Sequence, residues 1–296
     1  MTHEVLLYYR YAPVADPEAW AVEHRLLCAE LELKGRIIVA KEGLNGTVSG
    51  VLDATAAYRR ALLADPVFED VEFKAEPVEG HAFARMTVKV RDEIVSLGLE
   101  QDLDPLERTG TYLEPVEFRE MLRRAAEDRD VVVLDGRNDY ESALGHFEGA
   151  VCPAIENFRD FPQWLADNRQ HFEGKKILTY CTGGIRCEKL SGLMLREGFE
   201  EVYQLHGGII RYGQDEEVKG DGFEGECYVF DDRVQTRANF TESARVVSHC
   251  VGCSDESVRY RNCAWPPCND QFFLCEACEE KAGGRYCSPE CQRKHG

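Results

Sequence analysis

Eight of the thirteen cysteines fall between Cys250 and Cys291, and this clustering constrains the fold more than any other feature of the sequence. They form four short pairs, C-x2-C, C-x4-C, C-x2-C and C-x3-C, separated by nine, six and eight residues. Two cysteines at such spacing can bind one metal ion, and eight thiolates suffice for two tetrahedral zinc sites. We therefore expect two structural zinc ions, bound by Cys250, Cys253, Cys263, Cys268, Cys275, Cys278, Cys287 and Cys291.

The spacing leaves the pairing of these cysteines open. A cross-braced arrangement joins the first pair to the third and the second to the fourth, whereas a sequential one joins neighbouring pairs. His249 and His295 adjoin the array and can replace a thiolate. Two alternatives to zinc are less favoured. Disulfide bonds between these cysteines would need an oxidising compartment. An iron–sulfur cluster is disfavoured because the regular cysteine spacing of ferredoxins is absent. The basic and aromatic residues between the cysteines suit either RNA contact or a small core.

Charge and hydropathy narrow the class of protein. The net charge of −19 excludes a globally basic nucleic-acid binder, so any RNA contact needs a local basic patch. The sequence contains no run of eighteen apolar residues and no signal-peptide pattern at its start. We expect a cytoplasmic protein that has no membrane partner.

Residues 1–98 are predicted to form a ferredoxin-like, acylphosphatase-like α+β domain. Strands are expected at 4–11, 36–43, 45–50, 71–78 and 83–95, and helices at 17–35 and 53–65. The Asn45-Gly46 dipeptide, near Gly43, is typical of a hairpin turn, and Asp53 is a suitable N-cap.

Apolar and polar residues alternate between positions 83 and 91, as in a half-buried strand. The polar face carries Arg85, Lys89 and Arg91. These three residues either form a solvated face or bind phosphates of a substrate.

Residues 112–214 alternate between strand and helix patterns, which predicts a parallel-sheet α/β domain. Strands are expected at 130–137, 149–155, 175–180 and 200–208, and helices at 115–128 and 188–198. A polar link, residues 98–112, precedes this domain. An acidic, glycine-rich connector, residues 214–226, follows it, and a third unit spans 225–296.

The stretch CTGGIR, residues 181–186, lies between a predicted strand and a predicted helix. Ligands of α/β proteins bind at such positions, and a helix N-terminus favours a thiolate. The glycines allow several N–H groups to converge on the Cys181 sulfur, and Arg186 adds positive charge. The Cys-x4-Arg loop is one residue shorter than that of phosphotyrosine-type phosphatases, and it suits a small load such as a persulfide sulfur.

The central unit resembles a rhodanese through the Cys181 loop, Asp135-Gly136-Arg137, Glu141 and the residues 145–150, GHFEGA. More narrowly, CTGGIRCEK, GTYLEP, KEGLNGTVSG and GECYVFDDR together resemble the rhodanese-related tRNA uridine hydroxylases. The resemblance covers essentially the whole chain. It implies three units: a ferredoxin-like domain, a rhodanese domain and a Cys-rich zinc module.

The same resemblance implies O2-dependent conversion of the wobble uridine of tRNA, position 34, to 5-hydroxyuridine. Cys181 is then the catalytic cysteine, with Arg186 and Cys187 as further catalytic residues. Thr182, Gly183, Gly184 and Ile185 are expected to bind the substrate, together with the basic residues on the 83–91 strand. Cys187 either supports Cys181 chemically or only packs in the helix.

The expected partners are the anticodon stem-loop of tRNA and a donor of sulfur or electrons. The sequence contains no motif for an organic cofactor. Two other functions compete with hydroxylation. One is a sulfurtransferase that moves sulfur from a small donor to a thiol, and the other is a non-catalytic zinc scaffold, which the intact Cys181 loop disfavours.

Overall fold

The computed structural model describes residues 2–99, 103–128, 130–268 and 270–295. The N-terminal domain is a five-stranded sheet in the order β4-β1-β3-β2-β5, in which only β2 and β5 run parallel. This topology confirms the predicted ferredoxin-like class. Its elements are β1 (His3–Tyr11), α1 (Pro17–Glu30), β2 (Lys34–Ala40), β3 (Gly43–Val51), α2 (Leu52–Leu63), β4 (Lys74–Val78) and β5 (Met86–Val90).

The two faces of this sheet have different roles. Leu6 and Tyr8 of β1 point into a core shared with α1 and α2. Because side chains alternate along a strand, Leu7 and Tyr9 point to the opposite face, where they line a cavity together with residues of the central domain. The face without helices is therefore the one that meets the rest of the molecule.

The predicted hairpin is present, because β2 and β3 pair in antiparallel fashion, but its turn does not lie at Asn45-Gly46. The turn lies at residues 41–42, and both Asn45 and Gly46 are inside β3. Gly46 pairs with Tyr8 of β1, and a Cβ at position 46 would lie 2.2 Å from the Tyr8 ring. This glycine is required by close packing, while its neighbour Asn45 lies on the opposite face.

Several other boundaries differ from the prediction, and the strand expected at 83–95, for example, spans only Met86–Val90. The helix expected at 17–35 ends at Glu30, and Gly35 lies in β2 with φ +155°. A Cβ there would lie 2.2 Å from the carbonyl oxygen of Thr47, so only glycine fits. Val51 is the N-cap of α2 in place of Asp53, which lies in the first turn, where its charge favours the helix dipole.

The central domain has the predicted parallel sheet, and its strands lie in the order β6-β10-β9-β7. Separate apolar cores cover its two faces, one containing Phe118 and Ile209 and the other Phe161 and Leu190. Its elements are β6 (Thr111–Leu113), α3 (Pro115–Glu127), β7 (Val131–Asp135), α4 (Asp139–Ser142), β8 (Gly145–Phe147), α5 (Phe161–Asp167), β9 (Lys176–Tyr180), α6 (Ile185–Arg196), β10 (Val202–Leu205) and α7 (Gly208–Gln214).

Residues 149–155 do not form the predicted strand. They make one bridge, between Val151 and Leu134, and Pro153 has no N–H group to continue a ladder. Residues 100–102 of the predicted link lie outside the described residues. On either side of them, Leu97 and Leu103 are buried in a core of the central domain.

The predicted connector at 214–226 ends in β11 (Phe223–Tyr228), which pairs with β8 and with β12 (Gln235–Arg237). Phe223 and Cys227 are buried in a core of the central domain, and burial raises the pKa of the Cys227 thiol to about 12. Cys227 is therefore a core residue.

The Cys-rich module contains β13 (Tyr260–Asn262), β14 (Gln271–Phe273), α8 (Glu276–Ala282) and α9 (Pro289–His295). Tyr260 and Phe273 pack in one cluster with Leu144 and Tyr228, which joins the module to the central domain. The module has a core of its own, in which Phe272 is buried and against which Trp265 and Tyr286 pack. No helix in the described parts of the chain is long and apolar enough to cross a bilayer.

Candidate active site and metal centres

Cys181 is fully buried between the end of β9 and the start of α6. The Gly184 amide donates a hydrogen bond of 3.2 Å to its sulfur. Gly184 is the N-cap of α6 with φ +104°, and a Cβ there would lie 2.8 Å from Tyr9 Oη. The loop thus needs glycine both for its conformation and for the approach of β1.

The thiol of Cys181 is poised to ionise. Burial alone raises its pKa, but the Cys187 thiol donates a hydrogen bond to it, the Arg186 charge lies nearby, and the backbone amides of both residues also donate. These contributions outweigh burial and lower the pKa of Cys181 to about 6. At neutral pH, Cys181 is therefore mainly a thiolate.

Cys187 behaves in the opposite way. Burial, followed by the hydrogen bond to Cys181 and the charge of its thiolate, raises the pKa of Cys187 well above the usual range. The pair therefore consists of one thiolate and one protonated thiol, which is the arrangement of a hydrogen-bond acceptor and its donor.

Arg186 is held by a buried carboxylate. Its two terminal nitrogens donate to the two oxygens of Glu141 at 2.5 and 2.8 Å, and Glu141 is fully buried. A bidentate pair of this kind fixes the guanidinium in place. Arg186 can thus supply positive charge next to Cys181 without moving.

The two residues after Cys187 anchor the N-terminal domain to the loop. Glu188 accepts a hydrogen bond of 2.9 Å from Tyr9 Oη. Lys189, almost fully buried, forms ion pairs with Glu42 at 2.8 Å and Glu93 at 2.7 Å. Cys187 therefore donates a hydrogen bond to Cys181, while Glu188 and Lys189 hold the N-terminal and central domains together.

These contacts enclose a cavity of about 370 Å³ between the Cys181 loop and the face of the N-terminal sheet that carries no helices. Its volume is in the range of small-ligand sites. The lining residues are Leu7, Tyr9, Arg36, Ile38, Asn45, Thr47, Phe83, Arg91, Glu93, Ile94, Val95, Ser96, Phe158, Cys181, Thr182, Gly183, Ile185, Arg186 and Phe230.

Phe230 lies at this cavity with 47% of its surface exposed. The segment around it is clamped to the N-terminal domain. Arg233 forms an ion pair of 3.0 Å with Glu76, and the Asp232 amide donates to the carbonyl of Ala82 at 2.9 Å. An exposed ring held in this way is a rigid apolar surface at the entrance of the site.

The eight cysteines of the C-terminal module form two groups of four. One group contains Cys250, Cys253, Cys275 and Cys278, and the other contains Cys263, Cys268, Cys287 and Cys291. Within each group the sulfur atoms lie within 4.8 Å of one another. The pairing is cross-braced, and neither group includes His249 or His295.

The surroundings of these sulfurs fit a metal ion. The amides of Gly252 and Cys275 each donate to Cys250 Sγ at 3.3 Å. Such bonds favour thiolates, the form in which cysteine binds metal. A soft, four-sulfur set suits zinc among the common divalent ions.

Three family models match successive parts of the chain. Residues 3–94 match the UPF0176 acylphosphatase like domain, residues 118–214 the Rhodanese-like domain, and residues 224–292 the Rhodanase C-terminal model. A tRNA uridine(34) hydroxylase of Enterococcus faecalis is 51% identical over 293 residues, which cover 99% of this chain and 91% of that protein. The chain belongs to the tRNA uridine(34) hydroxylase family.

Proteins with the same name in Bacillus licheniformis and Oceanobacillus iheyensis are 50% and 51% identical, and each alignment covers 98% of this chain and 88% of theirs. Because the similarity spans nearly the whole length, membership of the family extends to all three parts of the chain.

The structure brings together only some of the residues predicted to bind substrate. Thr182, Gly183 and Ile185 line the cavity, and Gly184 shapes the loop beside it. Of the three basic residues near β5, Arg91 lines the cavity. Arg85 and Lys89 are exposed and do not line it.

Several residues at the site were missed by sequence reasoning. Arg36 and Phe83 occur in segments that looked like ordinary strands, and Phe230 is far away along the chain. Glu141 was noted only as part of the rhodanese resemblance. Because side chains alternate along β2, Arg36 and Ile38 lie on the face opposite the core residues Ile37 and Val39, but nothing in the sequence indicates that this face meets the Cys181 loop.

Proposed function

We propose that this chain hydroxylates carbon 5 of the wobble uridine, position 34, in tRNA, with Cys181 as the reactive thiolate. The observation that carries the proposal is a buried thiol, with a pKa of about 6, that opens into a cavity of ligand size. The chain's full-length similarity to tRNA uridine(34) hydroxylases supplies the reaction and the substrate.

Within this proposal, Cys187 and Arg186 act on Cys181. Cys187 donates the hydrogen bond that most favours the thiolate, and Arg186 adds a fixed positive charge. Because both terminal nitrogens of Arg186 bind Glu141, we assign it to positioning and electrostatics. The loop residues Thr182 to Ile185 form the floor on which the base lies.

The anticodon stem-loop is the part of tRNA that suits this cavity. Enzymes that modify a base in RNA or DNA move it out of its stack into a pocket. Arg36 and Arg91 are exposed at the cavity, and among the described residues neither forms an ion pair, so both can bind phosphates. Phe83 and Phe230 offer stacking surfaces. Arg36 and Arg91 thus supply the local positive charge that RNA contact requires in a chain with a net charge of −19.

Hydroxylation by O2 sets requirements on the partners. One oxygen atom is inserted into the bond between carbon 5 and its hydrogen, which gives the hydroxyl group, and the other leaves as water after it receives two electrons and two protons. A thiol, a sulfur donor or a reduced protein can supply these electrons in the cytoplasm. If Cys181 carries a persulfide, as rhodanese loops of this length do, the sulfur donor acts on the same residue.

We further propose that each four-cysteine group binds one zinc ion with a structural role. All four ligands of each group come from the protein, and structural sites differ from catalytic ones in this respect. The module then serves as a support for Tyr260 and Phe273, which pack on the central domain.

Nucleoside mass spectrometry tests the reaction. A host that lacks all pathways to 5-hydroxyuridine is complemented with the wild type, Cys181→Ser or Cys152→Ser. Cys152 is a matched control, because burial raises the pKa of its thiol to about 12. We expect 5-hydroxyuridine from the wild type and Cys152→Ser only, and purified wild type should require O2. A wild type that turns over thiosulfate but leaves tRNA unchanged would instead establish the sulfurtransferase alternative.

A further inference from the structure

Asn45 lines the Cys181 cavity but has no role in the proposed reaction as described above. It lies in the middle strand of the N-terminal sheet, paired with Tyr9 on β1 and with Ile38 on β2. All three residues line the Cys181 cavity. Since Tyr9 contacts the Cys181 loop directly, Asn45 lies on the strand next to the one that touches this loop.

The amide of Asn45 is fixed in orientation. Its Nδ2 donates a hydrogen bond of 3.1 Å to the carbonyl oxygen of Ile94. Ile94 is buried and held in turn by Glu42, whose carboxylate accepts its amide at 2.7 Å. Rotation of the amide by half a turn would place oxygen against oxygen. The Oδ1 atom is therefore a permanent acceptor, and it has no hydrogen-bond partner among the described residues.

The other lining side chains cannot take this role. Glu93 uses one carboxylate oxygen for Lys189 and for the Leu97 amide, and the other for the Gly98 amide. The hydroxyl groups of the cavity both donate and accept, so they do not discriminate between donors and acceptors. Within the described lining, Asn45 supplies the side-chain acceptor that is both fixed and free.

A fixed acceptor distinguishes the two pyrimidine bases of RNA. Uracil carries an N–H donor at position 3, whereas the same atom of cytosine is an acceptor with a lone pair. We propose that Asn45 Oδ1 accepts the N3–H of the target uracil and thereby excludes cytosine. This inference rests on the proposed function, and it assigns to Asn45 the choice of base at the modified position.

The test uses anticodon stem-loop RNAs with uridine, N3-methyluridine or cytidine at position 34. Binding is measured by fluorescence anisotropy. For the wild type, we expect the N3-methyl and cytidine RNAs to bind about 10-fold to 100-fold more weakly than uridine, because the acceptor is left unpaired. Asn45→Leu, similar in size, should bind all three alike. Thr47→Val, a neighbour in the cavity, should keep the difference.

Two results would overturn the proposal: a wild type that binds the three RNAs equally, or an Asn45→Leu variant that still prefers uridine. The first comparison needs no variant, so it holds even if the substitution impairs folding, which circular dichroism would detect. A failure of the proposed function is a separate outcome. In that case the wild type leaves bound uridine 34 unmodified, whatever its preference among the RNAs.

Discussion

Replacing Cys187 by alanine should raise the pKa of Cys181, because the Cys187 thiol is the largest contribution that opposes burial. A hydrogen bond to a charged group contributes about 1.5 kcal/mol at the lower end of its range, and a thiol is a weak donor. This corresponds to about one pKa unit. The pKa of Cys181, about 6 in the wild type, should therefore be roughly 7 in the variant.

The expected rise in the pKa of Cys181 predicts how the reactivity of this thiol depends on pH. Because Cys181 reacts as a thiolate, its reactivity is lost as pH falls through the pKa. At pH 6, about half of the wild type and about a tenth of Cys187→Ala would be ionised, a roughly fivefold difference that fades above pH 8. The assay measures the rate at which iodoacetamide alkylates Cys181 at each pH, with the alkylated Cys181 peptide quantified by mass spectrometry. Cys187→Ser keeps a donor and should stay near the wild type.

A midpoint that Cys187→Ala leaves unchanged would refute this account, as would an equal increase in Cys187→Ser. In either case the low pKa would have to come from Arg186 and the backbone amides of the loop. Cys187 would then be a packing residue of α6, and its thiol would have no part in the chemistry of Cys181.

Three other predictions follow from the structure. Glu141→Gln leaves the buried Arg186 charge with a neutral partner. We expect the free energy of unfolding, measured by urea titration, to fall by about 3 kcal/mol. A loss below ~1 kcal/mol would mean that the pair is solvated. Fresh protein should contain two zinc ions by metal analysis. Cys250→Ser should contain one, and chelation should expose residues beyond 248 to proteases while the central domain stays folded. Phe230→Leu should raise KM for the stem-loop about tenfold with little change in kcat, since base stacking contributes ~1–3 kcal/mol. Phe240→Leu, an exposed phenylalanine away from the cavity, should change neither.

Local sequence patterns predicted the parts of the fold that depend on local chemistry. The strand–loop–helix around Cys181 follows from a buried apolar strand, two glycines and a helical pattern, and the structure contains it. The cysteine spacing predicted eight metal ligands, and all eight fall into two groups. Cross-bracing could not be inferred, because it depends on how β13 and β14 pair.

The errors arose where tertiary packing overrides a local preference. Asn45-Gly46 has the composition of a turn, but the pairing of β3 with β1 places it in a strand, where Gly46 makes room for the Tyr8 ring. The Cys181 cavity was unpredictable for a related reason. Its walls come from residues separated by more than a hundred positions, and only the docking of two domains joins them.

The cross-braced cysteines also determine an order of events during synthesis. Cys253 and Cys275, which belong to the same group, are 22 residues apart. A ribosome must therefore add the second pair and then the third, through Cys278, before the first group is complete, and the second group stays open until Cys291 has emerged. Until then the nascent module exposes reactive sulfurs, while the central domain, made earlier, can already be folded. With zinc as the proposed ion, its supply would thus govern how long the newest part of each chain remains vulnerable to oxidation.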